Sequence, residues 1–144
     1  NRTELIIFPY RYDNGLKKIG ENFCNEFPLA YEYLERYRDE LEKSNKDSGA
    51  LWFEYGRSQA LTKINTEKLL ISPIVSNKVN VTILDQMHIP YSGIVITAKN
   101  NNLLTEAKRI LESEDFLKYI ESIGIKSNGN SIRISGTDIK KYKY

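Results

Sequence analysis

The chain is short of the residues on which most compact chemistry depends. In 144 residues it has one cysteine, one histidine, one methionine and one tryptophan. A single Cys24 cannot close an internal disulfide, which fits a reducing, cytoplasmic compartment. One His and one Cys exclude a conventional zinc site within the chain. The eight glycines are scattered and form neither GxGxxG nor a GxxxxGK phosphate loop. No serine elbow or metal-binding HExxH is present. The lone His88 has no nucleophile or carboxylate at motif spacing, so nothing points to an active site. Apolar runs such as Leu69-Leu70-Ile71 fall far short of the roughly 18 residues that a membrane span needs. No basic-plus-apolar leader is visible. The missing start methionine suggests an excised fragment of a longer protein, or a processed N-terminus.

What is present suits a folded domain. Hydrophobic residues make up 40% and charged residues 28%, ordinary values for a soluble fold with a core. The length predicts a single domain over residues 1–144. Net charge is only +2, unevenly spread. From Ile125 onward Lys126, Arg133, Lys140, Lys141 and Lys143 face one acid, Asp138. Such an end can attract phosphates or be a solvated terminus.

Patterning predicts an α+β fold: a small mixed or antiparallel sheet, a long helix in the N-terminal half and a C-terminal helix pair. Residues 4–10 read as a strand, and Asn14-Gly15 signals a tight hairpin turn into a second strand over residues 16–19. Pro28 suits a first helical position, and Ala30, Leu34, Tyr37 and Leu41 recur at helical spacing. Residues 68–73, 79–84 and 94–97 are strand candidates. Two helices follow within residues 102–124. Ser113 caps the second, Phe116, Leu117, Ile120 and Ile123 face inward, and Gly124 ends it. Asn128-Gly129-Asn130 turns into a last alternating strand over residues 131–135. Glu106-Ala107-Lys108 has a nuclease-like Glu-x-Lys spacing, but it lies in a helical pattern where carboxylates cannot converge on a metal.

The richest stretch is Trp52-Phe53-Glu54-Tyr55-Gly56-Arg57-Ser58-Gln59. Its aromatic part alternates like a strand, with Trp52 and Glu54 on one side and Phe53 and Tyr55 on the other. Gly56 would let the backbone approach a partner closely. Arg57, Ser58 and Gln59 are side chains that read base edges: arginine forks onto guanine O6 and N7, and glutamine pairs with adenine N6 and N7. This run resembles the target recognition domain of TaqI-like adenine DNA methyltransferases, where Trp, Tyr or Phe, Glu, Tyr or Phe, Gly, Arg, Ser or Thr and Gln follow in that order. Phe8-Pro9-Tyr10 with Asp13-Asn14-Gly15, Lys68-Leu69-Leu70-Ile71-Ser72-Pro73, Tyr91-Ser92-Gly93 and Arg133-Ile134-Ser135 ahead of Asp138-Ile139 are also similar to that region.

The resemblance implies the reading module of a restriction–modification enzyme without its transferase module. The family's Asn/Asp-Pro-Pro-Tyr/Phe motif is absent, because Pro9, Pro28, Pro73 and Pro90 are never adjacent. Its S-adenosylmethionine glycine motif is missing too. The chain itself would therefore carry no catalytic residue, metal or cofactor, and S-adenosylmethionine would belong to the parent enzyme. Its partners would be double-stranded DNA and the catalytic domain of the same parent chain, with no membrane. Arg57, Ser58, Gln59 and Tyr55 are the expected base-reading group. Lys63, Arg133, Lys140 and Lys141 are the expected phosphate contacts. Two alternatives stand beside this reading: a specificity-subunit domain of a multi-subunit restriction system, and a protein-interaction or subunit-assembly module.

Overall fold

A computed structural model describes residues 3–98, 101–127 and 129–144; of Gln59, Asn101 and Asn102 only the backbone is described. The chain, expected as one domain, divides into two compact units, residues 1–62 and residues 63–144. The fold is α+β, and every strand pairing among the described residues is antiparallel.

The first unit opens on the predicted hairpin, β1 (Tyr10–Tyr12) and β2 (Leu16–Lys18). Its turn rests on Asn14 and Gly15, whose φ values of 49° and 124° lie where Asn and Gly carry the least steric cost. The preceding residues 3–9 do not form the predicted strand. Leu5 and Ile6 are exposed there, Pro9 offers no N–H to a ladder, and the Ile7 and Pro9 carbonyls accept from the Tyr55 hydroxyl and the Ile19 amide instead.

The predicted long helix arrives in pieces: α1 (Phe23–Glu26), α2 (Pro28–Glu35) and α3 (Arg38–Glu42). Tyr37, at φ −113° and ψ 15°, leaves helical geometry and resets the phase. Tyr37, predicted inward, is therefore exposed beside Tyr33, at 5.4 Å between ring centroids. Tyr31 is half-buried, with its ring edge-on to Trp52 and Phe53. Phe53 also stacks on Phe23 at 5.0 Å, and the Arg38 guanidinium lies 5.1 Å from the Trp52 ring centroid. Aromatic packing rather than a sheet holds this unit.

The second unit has a three-stranded sheet ordered β5–β3–β6, from β3 (Lys68–Ile71), β5 (Val81–Leu84) and β6 (Ile94–Thr97). A smaller sheet, β4–β8–β7, joins β4 (Ile74–Val75), β7 (Ile125–Lys126) and β8 (Ile132–Arg133). The predicted helix pair is α4 (Asn101–Leu111) and α5 (Glu114–Ile123). The Ser113 side chain accepts from the Phe116 amide as the N-cap. Phe116 and Ile120 are buried with Leu69, Ile71, Val81 and Leu104. Ile123, predicted inward, is 42% exposed, one turn too far along α5. The chain ends on α6 (Gly136–Lys141), closed by a capping box between Ser135 and Asp138. Of the predicted Asn128 turn, Asn128 itself lies outside the described residues.

Lys68, the first residue of the central strand β3, is fully buried. Its ammonium donates to the carbonyls of Ile64 (2.7 Å), Thr66 (2.9 Å) and Asp85 (2.6 Å). Burial pushes its pKa down, opposed by the charge of Asp85. With all three hydrogens committed, the nitrogen serves as a clasp between the ends of β3 and β5, not as a nucleophile.

Candidate nucleic-acid interface

The run at residues 52–58 is not the alternating strand that its composition predicts. Phe53 and Glu54, neighbours in sequence, are both buried, which a period-two pattern forbids. The chain instead turns, with the Glu54 amide donating to the Leu51 carbonyl at 3.0 Å. The reason is tertiary: Phe53 is drawn toward Phe23 and Tyr31, while Glu54 is drawn into a polar cage. Its Oε2 accepts from the Leu51 amide (3.0 Å) and pairs with the Lys18 ammonium (2.7 Å). Its Oε1 is buried without a hydrogen-bond partner. The Lys46 ammonium donates to the Glu54 carbonyl at 2.8 Å.

Tyr55 is half-buried and serves as support. Its ring stacks on Tyr10 at 5.8 Å, its amide donates to the Tyr10 hydroxyl, and its own hydroxyl donates to the Ile7 carbonyl. Burial raises the pKa of both phenols, so both remain neutral. Gly56 does permit a close approach, but to the chain itself. A Cβ there would fall on the Asn45 carbonyl oxygen, far inside van der Waals contact. The Gly56 carbonyl accepts from the Asp47 amide at 2.9 Å.

Arg57 follows and is exposed. Ser58 is half-buried, with its amide donating to Asp47 Oδ2 at 3.2 Å. Gln59 opens a 3-10 turn, Gln59–Lys63, and its side chain lies outside the described residues. Of the six arginines described, Arg11, Arg36, Arg38 and Arg109 pair with carboxylates. Arg57 and Arg133 have no carboxylate partner among the described residues.

The expected phosphate contacts are placed as follows. Lys63 is exposed at the end of the 3-10 turn. Arg133 is exposed on β8, between buried Ile132 and Ile134. Lys140 and Lys141 occupy the last turn of α6, where positive charge also complements the helix dipole. Tyr55, Arg57 and Ser58 are thus brought together in the first unit, and Arg133, Lys140 and Lys141 belong to the second. Sequence reasoning missed Asp47 as a partner of this loop. It sits in the polar run Ser44-Asn45-Lys46-Asp47-Ser48-Gly49, where nothing in the local pattern marks one acid above another.

Among the described residues, His88 pairs with the Asp85 carboxylate three positions before it, Nδ1 to Oδ1 at 2.7 Å. Glu106 pairs with Arg109, and Lys108 with Glu112, along the surface of α4, so the Glu-x-Lys spacing is a helix-face pattern. No group of three or more His, Cys, Asp or Glu among the described residues could hold a metal. No helix among them is long and apolar enough to cross a membrane. Comparison with protein-family models, curated proteins and solved structures finds no match to this chain.

Proposed function

We propose that this chain is the target recognition module of an adenine-specific DNA methyltransferase, or of a combined restriction–modification enzyme, acting in the cytoplasm. It binds double-stranded DNA and positions the adenine for N6 methylation by a catalytic domain of the same parent, which supplies the S-adenosylmethionine site. The observation that carries this reading is Arg57. It occupies the arginine position of the resembling run, on an exposed loop, and among the described residues it lacks the carboxylate partner that Arg11, Arg36, Arg38 and Arg109 have. Arg57 and Ser58, with Gln59, read base edges, supported by Tyr55. Lys63, Arg133, Lys140 and Lys141 contact phosphates, which orient the module without reading sequence.

Electrophoretic titration against random duplexes at two salt concentrations tests this. The expected result is weak binding that falls steeply with salt and falls further in Arg57→Ala and Lys140→Glu. A second reading, a protein-interaction module, is favoured by one observation: Leu29, Tyr33 and Tyr37 are all exposed along the α2–α3 segment. Absence of DNA binding, or binding insensitive to salt and to both substitutions, would favour that module instead.

A further inference from the structure

Asp47 grips the chain on both sides of Arg57. Its backbone amide donates to the carbonyl of Gly56, the residue before. Its carboxylate Oδ2 accepts from the amide of Ser58, the residue after. Its own carbonyl accepts from Ala50 at 3.1 Å, which fixes Asp47 in a turn. Gly56 lies against the neighbouring Asn45 carbonyl too closely for any side chain. Asn45 and Asp47, two positions apart in one loop, therefore template the backbone on either side of Arg57, whose side chain is exposed.

A phosphate contact does not need such a mount, because a flexible cation finds phosphate oxygens over a wide range of positions. Bidentate reading of guanine O6 and N7 does need it, since both hydrogen bonds depend on where the guanidinium fork is held. We propose that Asp47 is a positioning residue for base recognition: it clamps the Gly56–Ser58 backbone so that Arg57 reads a guanine within the DNA site. This rests on the DNA-recognition reading above.

Charge alone makes the opposite forecast. Removing a carboxylate beside a phosphate-facing arginine should raise affinity for every duplex. The clamp requires that Asp47→Ala lose discrimination while keeping its general, salt-dependent binding. Asp47→Asn removes the same charge but retains a side-chain oxygen for the Ser58 amide.

The test is selection from a randomised duplex library by the whole chain, with parallel salt titrations on a random duplex. Wild type is expected to enrich guanine at one position. Arg57→Ala and Asp47→Ala should each lose that preference by roughly tenfold or more, Asp47→Ala with unchanged or slightly tighter binding to the random duplex. Asp47→Asn should keep most of the preference. Should Asp47→Ala lose its circular dichroism signal, Asp47→Gly withdraws the acceptor while keeping a turn-forming residue, and faces the same requirement. Wild-type selectivity in a folded Asp47→Ala or Asp47→Gly overturns the clamp alone, as does equal loss in Asp47→Asn. Failure of wild type to bind any duplex overturns the DNA reading and the clamp with it.

Discussion

At the scale of single residues, the decisive groups around the candidate loop are acids rather than bases. Glu54 has a side chain only 1% exposed, while its partner Lys18 stays 44% exposed. Truncation would strip the Leu51 amide of its acceptor and open a void, whereas Lys18 could rehydrate. Glu54→Ala should therefore cost about 2 kcal/mol, and Glu54→Gln, which keeps volume and an acceptor, about 1 kcal/mol. Trp52, the only tryptophan, packs in the same cluster, so its fluorescence during urea unfolding reports the loss. A midpoint unchanged in Glu54→Ala would show that the buried carboxylate contributes nothing. None of this was legible from the residue's neighbours. Trp52-Phe53-Glu54-Tyr55 carries the composition of a strand, and only the positions of Phe23, Tyr31 and Lys18, 21 or more residues away along the chain (roughly, by their numbering), decide otherwise.

At the scale of elements, legibility follows how local the stabilising interactions are. The strands β3, β5 and β6 and the helices α4 and α5 carry their own periodicity, and Ser113 caps α5 through a contact three residues away. Those were readable. The strand predicted at residues 4–10 was not, because pairing needs a partner that the apolar run cannot specify. Nor was the break before α3, where Tyr37 looks inward on a helical wheel and is turned out by one non-helical residue. The basic tail was read as charge alone, yet it is a short helix. Ser135 accepts from the Asp138 amide, Asp138 Oδ2 accepts from the Ser135 amide (2.8 Å) and hydroxyl (2.6 Å), and Tyr119 donates to the Asp138 carbonyl. Ser135→Ala should cost about 1 kcal/mol, measured as a lower urea midpoint by circular dichroism. Faster amide exchange should be confined largely to α6, the element that presents Lys140 and Lys141. Exchange that stays as slow as in wild type would mean that packing of Tyr142 on Phe116 and Tyr119, not the cap, holds the helix.

At the scale of the whole molecule, the second unit is fastened by carboxylates whose pKa values folding lowers. Asp85 is lowered chiefly by its hydrogen bond with His88, Glu106 by Arg109, Glu112 by Lys108 and then the Val81 amide, and Asp138 by Ser135. Glu112 matters most to architecture, since Oε1 accepts from the Val81 amide at 3.0 Å and so ties α4 to the start of β5. A carboxylate with a folded pKa below its unfolded value stabilises the fold at any pH above the unfolded value, and that contribution disappears as pH falls through the folded one. The ordinary values here are 3.8 for Asp and 4.5 for Glu. Stability of the second unit should therefore be level from neutral pH down to about 5 and decline below that, in urea midpoints followed through NMR signals of residues on β5 and α4. Glu112→Gln, which leaves an acceptor for Val81 but no titrating group, should start lower at neutral pH and decline less steeply in acid. A wild-type midpoint that holds constant to pH 3, roughly one unit below the ordinary carboxylate range, would mean that these ion pairs and caps form equally well with the carboxyls protonated. The fastening of β5 to α4 would then have to be sought in the apolar contacts of Val81, Leu104 and Leu111 alone.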